Sequence, residues 1–273
     1  MLRRPDRGAH TAALLDVVVP ACNEEGRLPS GLRLLCAKLA EMRIPASVIV
    51  VDNASTDRTA DIVRAWPRGP VEVRLVSCGV RGKGAAVRAG LLATTAPYVG
   101  YCDADMATDL DALDTVLAEL RAGRPAVIGS RAHPWSVVEV RHNPVRRMGA
   151  WVFRAMARVL VGRIGDTQCG FKFFAGDQAR EAAGELRETG FAFDVELLAR
   201  MRAKSLRVLE IPVRWRDVAG STFSVTRHSL GIFGQLFKIF TRVGLAGRGG
   251  SPRLRQARPT PQDSGPSVSS SAA

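Results

Sequence analysis

Two carboxylates one residue apart, Asp103 and Asp105, close the apolar run Val99-Gly100-Tyr101-Cys102. On a strand, positions i and i+2 share a face. At a strand end such a pair can hold one hard cation through oxygen ligands and leave room for phosphate oxygens. The competing reading is a loop in which an Asp caps the next helix. Three other polar clusters follow apolar runs in the same way: Pro20-Ala21-Cys22-Asn23-Glu24, Asp52-Asn53-Ala54-Ser55-Thr56-Asp57, and the basic, Gly-rich Arg81-Gly82-Lys83-Gly84. Asp52 or Asn53 could accept from a base N–H or a ribose hydroxyl. Lys83 and the N–H groups at a helix start favour an anion. The Gly spacing is neither the dinucleotide fingerprint nor a Walker A loop, and a solvated turn is the alternative there. Together the four loops suggest a sugar-nucleotide site rather than a hydride-transfer site, with a divalent cation at the Asp pair acting as Lewis acid on a leaving diphosphate.

The elements that must position these groups can be read from periodicity. Strands are expected over 14–20, 46–51, 71–77, 98–102 and 126–130. Helices are expected over 28–42, from the Asp57 cluster through Trp66, from Gly84 to about Thr95, and over 109–122. Such alternation gives an α/β fold, a Rossmann-like, mostly parallel central sheet flanked by helices. Ligands then sit at the carboxyl ends of the strands, where every cluster named above falls. The second half is less regular. Residues 144–164 have helical spacing, with Arg at 147, 154 and 158 and an aromatic and aliphatic face. A loop from Asp166 to Gly170 enters the short strand Phe171-Lys172-Phe173-Phe174, a helix starts near Phe191, and a strand covers 207–213. The expected layout is a flexible start (1–13), one catalytic domain (14–223), an amphipathic segment able to touch a membrane (224–247) and a tail poor in core-forming residues (248–273).

Composition narrows the partners. The formal net charge is +13, most of it from Arg, which points to nucleic acid, an anionic membrane or phosphorylated small molecules. Aromatic residues are 6% and lie mostly in apolar runs, which argues against a nucleic-acid-binding groove. The five Cys are odd in number and lack a Cys-x-x-Cys pair, the pattern of a reduced, cytoplasmic chain. No signal-like segment and no apolar run of membrane-spanning length is seen. The expected location is therefore cytoplasmic, peripheral at the inner face of the cell membrane.

Taken in order, Val18-Val19-Pro20-Ala21-Cys22-Asn23-Glu24-Glu25, Val51-Asp52-Asn53-Ala54-Ser55-Thr56-Asp57, Arg81-Gly82-Lys83-Gly84 continuing to Gly90, and Asp103-Ala104-Asp105 resemble the successive motifs of family 2 glycosyltransferases with the GT-A fold. Gly129-Ser130-Arg131-Ala132-His133, Asp166-Thr167-Gln168-Cys169-Gly170-Phe171-Lys172, Ala192-Phe193-Asp194-Val195-Glu196-Leu197-Leu198 and Trp215-Arg216-Asp217-Val218-Ala219-Gly220-Ser221 are similar to the dolichyl-phosphate β-glucosyltransferase branch. The resemblance spans roughly residues 14–240. It implies inverting transfer of a hexose, glucose foremost, from a nucleotide sugar such as UDP-glucose to a polyprenyl phosphate. It also implies that Pro20, Asn23, Glu24, Asp52 and Asn53 bind the nucleoside, that Lys83 and Arg88 stand near it or the diphosphate, and that Asp103 and Asp105 hold Mg2+ or Mn2+. Two departures stand out: Asn53 where the family has a second Asp, and Cys22 where it commonly has Tyr.

The acceptor chemistry can be argued physically. A lipid phosphate has a second pKa of about 6 and is already an anion near neutral pH. It needs no general base, only positioning and cations to offset repulsion from the donor. Arg131 is the leading candidate, helped by Lys172 and one of Arg146 or Arg147, since the planar guanidinium matches phosphate oxygens. Asp166 and Gln168 are candidates for sugar hydroxyls. Asp194, at a helix start, is expected to cap it, or to orient the sugar or a cationic partner. Alternatives are a glycan hydroxyl acceptor, which would make Asp194 a base, a GDP-mannose donor, and a basic nucleic-acid-binding module.

Overall fold

The computed structural model describes residues 12–139, 156–216 and 234–243. Val-rich runs buried on both faces form the centre of one seven-stranded sheet. Its strands are β1 (Leu15–Ala21), β2 (Ala46–Asp52), β3 (Glu72–Ser77), β4 (Tyr98–Cys102), β5 (Ala126–Ser130), β7 (Phe171–Ala175) and β8 (Val208–Pro212), in the order β3-β2-β1-β4-β7-β5-β8. Pairing is parallel except at β7, which runs antiparallel between β4 and β5. The sequence reading anticipated a short strand at β7 but not its insertion there. Two short strands, β6 (Val137–Glu139) and β9 (Arg214–Arg216), pair beside the main sheet.

Helices cover both faces. On one side α1 (Leu28–Glu41) presents Leu28, Leu32, Leu35 and Leu39, a stripe at helical spacing, and packs with α2 (Thr59–Arg64) and α4 (Ala112–Arg121). On the other, α3 (Lys83–Leu92), α6 (Gly176–Glu185) and α7 (Phe193–Ala203) bury Val87, Leu91, Ala182 and Leu197 against Val18, Ile49 and Phe174. The helical segments 156–161 (α5) and 234–243 (α8) pack on α7 through Ala157, Val161, Leu236, Ile239 and Val243. The order of strands reverses at β1, which lies between β2 and β4. In open α/β sheets that switch point marks the ligand crevice. It places the Asn23–Glu24 loop beside the Asp103–Asp105 loop. Arg146, Arg147, most of the 144–164 segment and the 248–273 tail lie outside the described residues.

Candidate active site

The Asp pair sits at the end of β4, as its spacing suggested. Asp103 is anchored through its backbone: its N–H donates to the Gly170 carbonyl at 3.0 Å. Its carboxylate lies against the Gly170 Cα, where an added Cβ would come within 2.1 Å of Oδ2. Gly170 is thus fixed by close approach. The Lys83 ammonium reaches Asp103 Oδ1 at 2.5 Å. Burial pulls the Lys83 pKa down, but Asp103 and Asp194 more than offset it, so Lys83 stays charged. Asp105 Oδ1 accepts from the Ala107 N–H at 3.1 Å, and burial together with the Asp103 charge lifts its pKa above the ordinary carboxylate value. Burial likewise raises Glu24, despite its bidentate pair with Arg27 at 2.7 Å, and both Asp charges add to the rise.

Three carboxylates therefore crowd one end of the switch point and repel one another, an arrangement that a divalent cation relieves. Among the described residues no group of three or more His, Cys, Asp or Glu is placed to hold a metal ion, so the Asp pair would have to take its remaining ligands from elsewhere. Two carboxylates with an open remainder suit a Mg2+- or Mn2+-type ion that takes its other oxygens from a phosphate or water. The residues fit that group.

The first two loops are tied to each other. Asn23, in a left-handed conformation (φ 55°), accepts from the Thr56 N–H at 2.8 Å through Oδ1, and its own N–H donates to Ser55 Oγ at 3.1 Å. The Glu24 N–H donates to Thr59 Oγ1, and Asp52 accepts from the Ser55 N–H. Pro20 lies at the end of β1 in register with Val51, one residue short of Asp52. The Asn53 side chain is engaged within the protein. It is buried, donates to the Cys78 and Val80 carbonyls and accepts from the Gly82 N–H at 2.7 Å. It is the brace of the 78–82 loop.

That loop also differs from the expected anion cradle. The N–H groups of Gly84 and Ala85 are taken by the Thr189 carbonyl, at 2.8 and 3.2 Å. A Cβ on Gly82, itself at φ 128°, would meet that carbonyl oxygen at 2.2 Å, and one on Gly84 would meet the Glu188 carbonyl at 2.5 Å. The glycines admit the 187–190 segment to the start of α3. Lys83 thus points a cation at the site without the helix amides. Arg88 is exposed and five residues further on, about 140° round the helix from Lys83.

Two ion pairs lie toward β5 and β7. Arg131 follows β5 and is gripped by Asp166, Nε to Oδ2 at 2.7 Å and a terminal nitrogen to Oδ1 at 3.0 Å, with the Arg131 backbone N–H also on Oδ2. The Trp215 ring lies 5.4 Å from the guanidinium carbon. Asp166 also accepts from the Gln168 N–H, while Glu210 holds the N–H groups of Gly165 and Asp166. Asp166 is therefore occupied by Arg131 instead of facing a sugar, and Arg131 keeps 31% of its side chain exposed. Burial would raise the Asp166 pKa, but Arg131 overrides it and holds the carboxyl at about 2. A depressed acid stabilises the fold above its unfolded pKa of about 3.9, and that stability is lost as pH falls through about 2. Asp166→Asn should therefore remove roughly 2 kcal/mol at neutral pH. It should also flatten the loss of stability between about pH 4 and 2, read by denaturant unfolding at each pH.

The second pair is fully buried. Lys172 and Tyr101 are cross-strand partners in β7 and β4. The Lys172 ammonium donates to Asp194 Oδ1 at 2.6 Å and to the Cys169 carbonyl, and the Tyr101 hydroxyl donates to the same Asp194 oxygen. Burial first, and then Asp194, drive the Tyr101 pKa well above its usual value. Lys172 has no exposed surface for the incoming phosphate expected of it, and Asp194 does not cap α7, whose N-cap is Ala192. Asp194 instead orients a cationic partner. Sequence reasoning missed Tyr101 and Glu210, although a hydroxyl two residues before Asp103 on one strand face and an acid inside an apolar strand were signals for both. It also missed the 187–190 segment, whose ordinary composition carried none.

This sheet, with its switch-point carboxylates, is the GT-A fold of nucleotide-sugar transferases. Residues 16–175 match the family described as Glycosyl transferase family 2, and the chain belongs to that family. It is 35% identical over 243 residues to a dolichyl-phosphate β-glucosyltransferase of Drosophila melanogaster, covering 84% of this chain and 74% of that protein. The human protein of the same name is 34% identical over 222 residues (76% and 68%), and that of Saccharomyces cerevisiae 31% over 236 (79% and 71%). Among solved structures, glucosyl-3-phosphoglycerate synthase of Mycobacterium tuberculosis in complex with UDP superposes with a TM-score of 0.60 at 20% identity, over 85% of this chain and 80% of that one.

Proposed function

We propose that this enzyme transfers glucose, with inversion, from a nucleotide sugar to a polyprenyl phosphate at a membrane surface, giving a β-linked lipid-phosphate sugar. The three relatives above are named for glucosyl transfer to dolichyl phosphate. The observation that carries the reading is the state of the two carboxylates beyond the donor crevice. Asp166 is locked to Arg131, and Asp194 to Lys172 and Tyr101. Neither is free to take a proton from a hydroxyl. An acceptor that arrives as a phosphate anion asks for none, only for the cation that Arg131 presents.

The donor is read as UDP-glucose, in line with a solved neighbour held with Mn2+ and UDP-glucose. Pro20, Asn23, Glu24 and Asp52 line its nucleoside side, Lys83 faces its diphosphate, and Asp103 and Asp105 hold Mg2+ or Mn2+. Bound there, the ion supplies Lewis-acid stabilisation of the leaving diphosphate. Arg131, steered by Asp166 and Trp215, draws the acceptor phosphate to the anomeric carbon and offsets its repulsion from the donor. Gln168 is left for the sugar. The chain works on the inner face of the membrane, without nucleic acid as partner. Its catalytic domain is 14–223.

Purified protein with Mn2+ or Mg2+, a short-chain polyprenyl phosphate and a panel of UDP- and GDP-sugars tests this reading. Glucosylated lipid phosphate should form from UDP-glucose foremost; no lipid-linked product from any donor overturns it. Gly170→Ala should displace the Asp103 carboxylate, because the new Cβ needs the space it occupies. Transfer should fall on the order of 100-fold while the circular dichroism spectrum is kept. Unchanged turnover would remove Asp103 from the mechanism.

A further inference from the structure

Among the described residues no helix is long and apolar enough to cross a membrane, yet the acceptor read above is embedded in one. α5 and α8 offer a surface for that encounter. Each buries one stripe against α7, Ala157 and Val161 from α5 and Leu236, Ile239 and Val243 from α8. Each also turns large apolar side chains outward: Val159 is 67% exposed, Phe237 68% and Phe240 50%. Phe237 and Phe240 are three residues apart and share a helix face. Arg158, Arg163, Lys238 and Arg242 are exposed around them. The segments 156–164 and 234–243 contain no Asp or Glu at all. Outward aromatics flanked by cations, on segments that carry no carboxylate of their own, are complementary to an apolar layer beneath anionic headgroups.

The same face is joined to the donor crevice. Arg242 pairs with Glu188 at 3.0 Å, and the Thr189 carbonyl next to it holds the start of α3, whose Lys83 reaches Asp103. Arg202 of α7 donates to the Val159 and Leu160 carbonyls and fixes α5. We propose that the outward face of α5 and α8 docks the enzyme on an anionic phospholipid bilayer, with Phe237 and Phe240 inserted at headgroup level and Arg158 and Lys238 on the lipid charge, while Arg242 stays on Glu188. The inference rests on the reading of the acceptor as a membrane lipid.

Co-sedimentation of the full chain with vesicles tests it, using phosphatidylcholine alone or with about a third phosphatidylglycerol. Binding should need the anionic lipid and weaken with salt. The Phe237→Ser, Phe240→Ser double variant should bind more than about tenfold more weakly, and Lys238→Glu about fivefold or more. Both should keep wild-type transfer to a short-chain, water-soluble polyprenyl phosphate without vesicles. Equal binding to neutral vesicles, or unaltered vesicle binding by the Phe variant, would overturn the docking face. So would a Phe variant that only turns a dimer into a monomer in light scattering. Wild-type enzyme that binds vesicles but glucosylates no soluble lipid phosphate would sink the functional reading and leave docking standing. Transfer to the soluble acceptor with no vesicle binding would do the reverse.

Discussion

Asp194→Asn should lower stability by about 3–5 kcal/mol, a fall in Tm of roughly 10 °C for a domain of this size. The reason is local charge balance. Lys172 has no exposed surface, and its ammonium has one carboxylate partner, Asp194, and one carbonyl, that of Cys169. An amide in place of the carboxylate leaves a buried cation without its counter-charge, and the Tyr101 hydroxyl loses an anionic acceptor. Lys172→Met should be about as damaging, because it strands Asp194. Replacing both, Lys172→Met with Asp194→Leu, should recover much of the loss, since an apolar pair of similar volume has no charge to desolvate. The sign of this coupling separates two roles for Asp194. A general base would give a stable, inactive Asp194→Asn enzyme. A buried anchor gives an unstable one, whose remaining folded fraction still transfers sugar. Thermal melts of the three variants, with turnover corrected for folded fraction, decide between them.

Arg131→Lys should cut kcat/KM for the lipid phosphate by about 100-fold while leaving the KM for the nucleotide sugar nearly unchanged. Arg131 is held by two nitrogens on the two oxygens of Asp166 and lies near the Trp215 ring. A lysine keeps the charge and can still meet Asp166, so the fold survives. It cannot keep the fork, the ring contact and a free edge for a phosphate at once. The effect should fall on the acceptor. Asp166→Asn should follow the same pattern more weakly, because it loosens Arg131 without removing it. An Arg131→Lys enzyme with unaltered acceptor kinetics would take Arg131 out of the acceptor site.

The donor half of the protein was legible in the sequence for a physical reason. Strands β1, β2 and β5 are runs rich in Val or Ile and buried on both faces, β4 is an apolar run with Tyr and Cys, and such runs read the same way in any context. Asp103 and Asp105 needed only the strand period to be placed together. The rest depended on contacts between residues far apart. Tyr101 meets Asp194 across 93 positions, and Arg131 meets Asp166 across 35. Residue type could name Asp166, Lys172 and Asp194 as charged groups near chemistry, but not that Asp166 would be taken by Arg131 and that Lys172 and Asp194 would pair below the surface. The part Asn53 plays in the 78–82 loop was hidden for the same reason: an amide after a strand suits a base edge as well as it suits the carbonyls of Cys78 and Val80. The direction of β7 was hidden because Phe171-Lys172-Phe173-Phe174 carries no sign of which way it runs. The α6 helix, Gly176–Glu185, went unnoticed because its buried stripe is only alanines and a glycine. Pairing between β6 and β9 joins short, mostly exposed segments, for which periodicity has little to detect.

The central claim is that the nucleophile comes to the site already charged, so that the chain supplies cations and no base. The most direct measurement offers the purified enzyme, with UDP-glucose and a divalent metal, a short polyprenyl phosphate, the matching polyprenol and a glycan hydroxyl acceptor, and identifies the products by mass spectrometry. Glucose should appear on the phosphate alone, β-linked. Glucose on the polyprenol or on the glycan at a comparable rate would contradict the account and require a base that Asp166 and Asp194, as they are held here, do not provide.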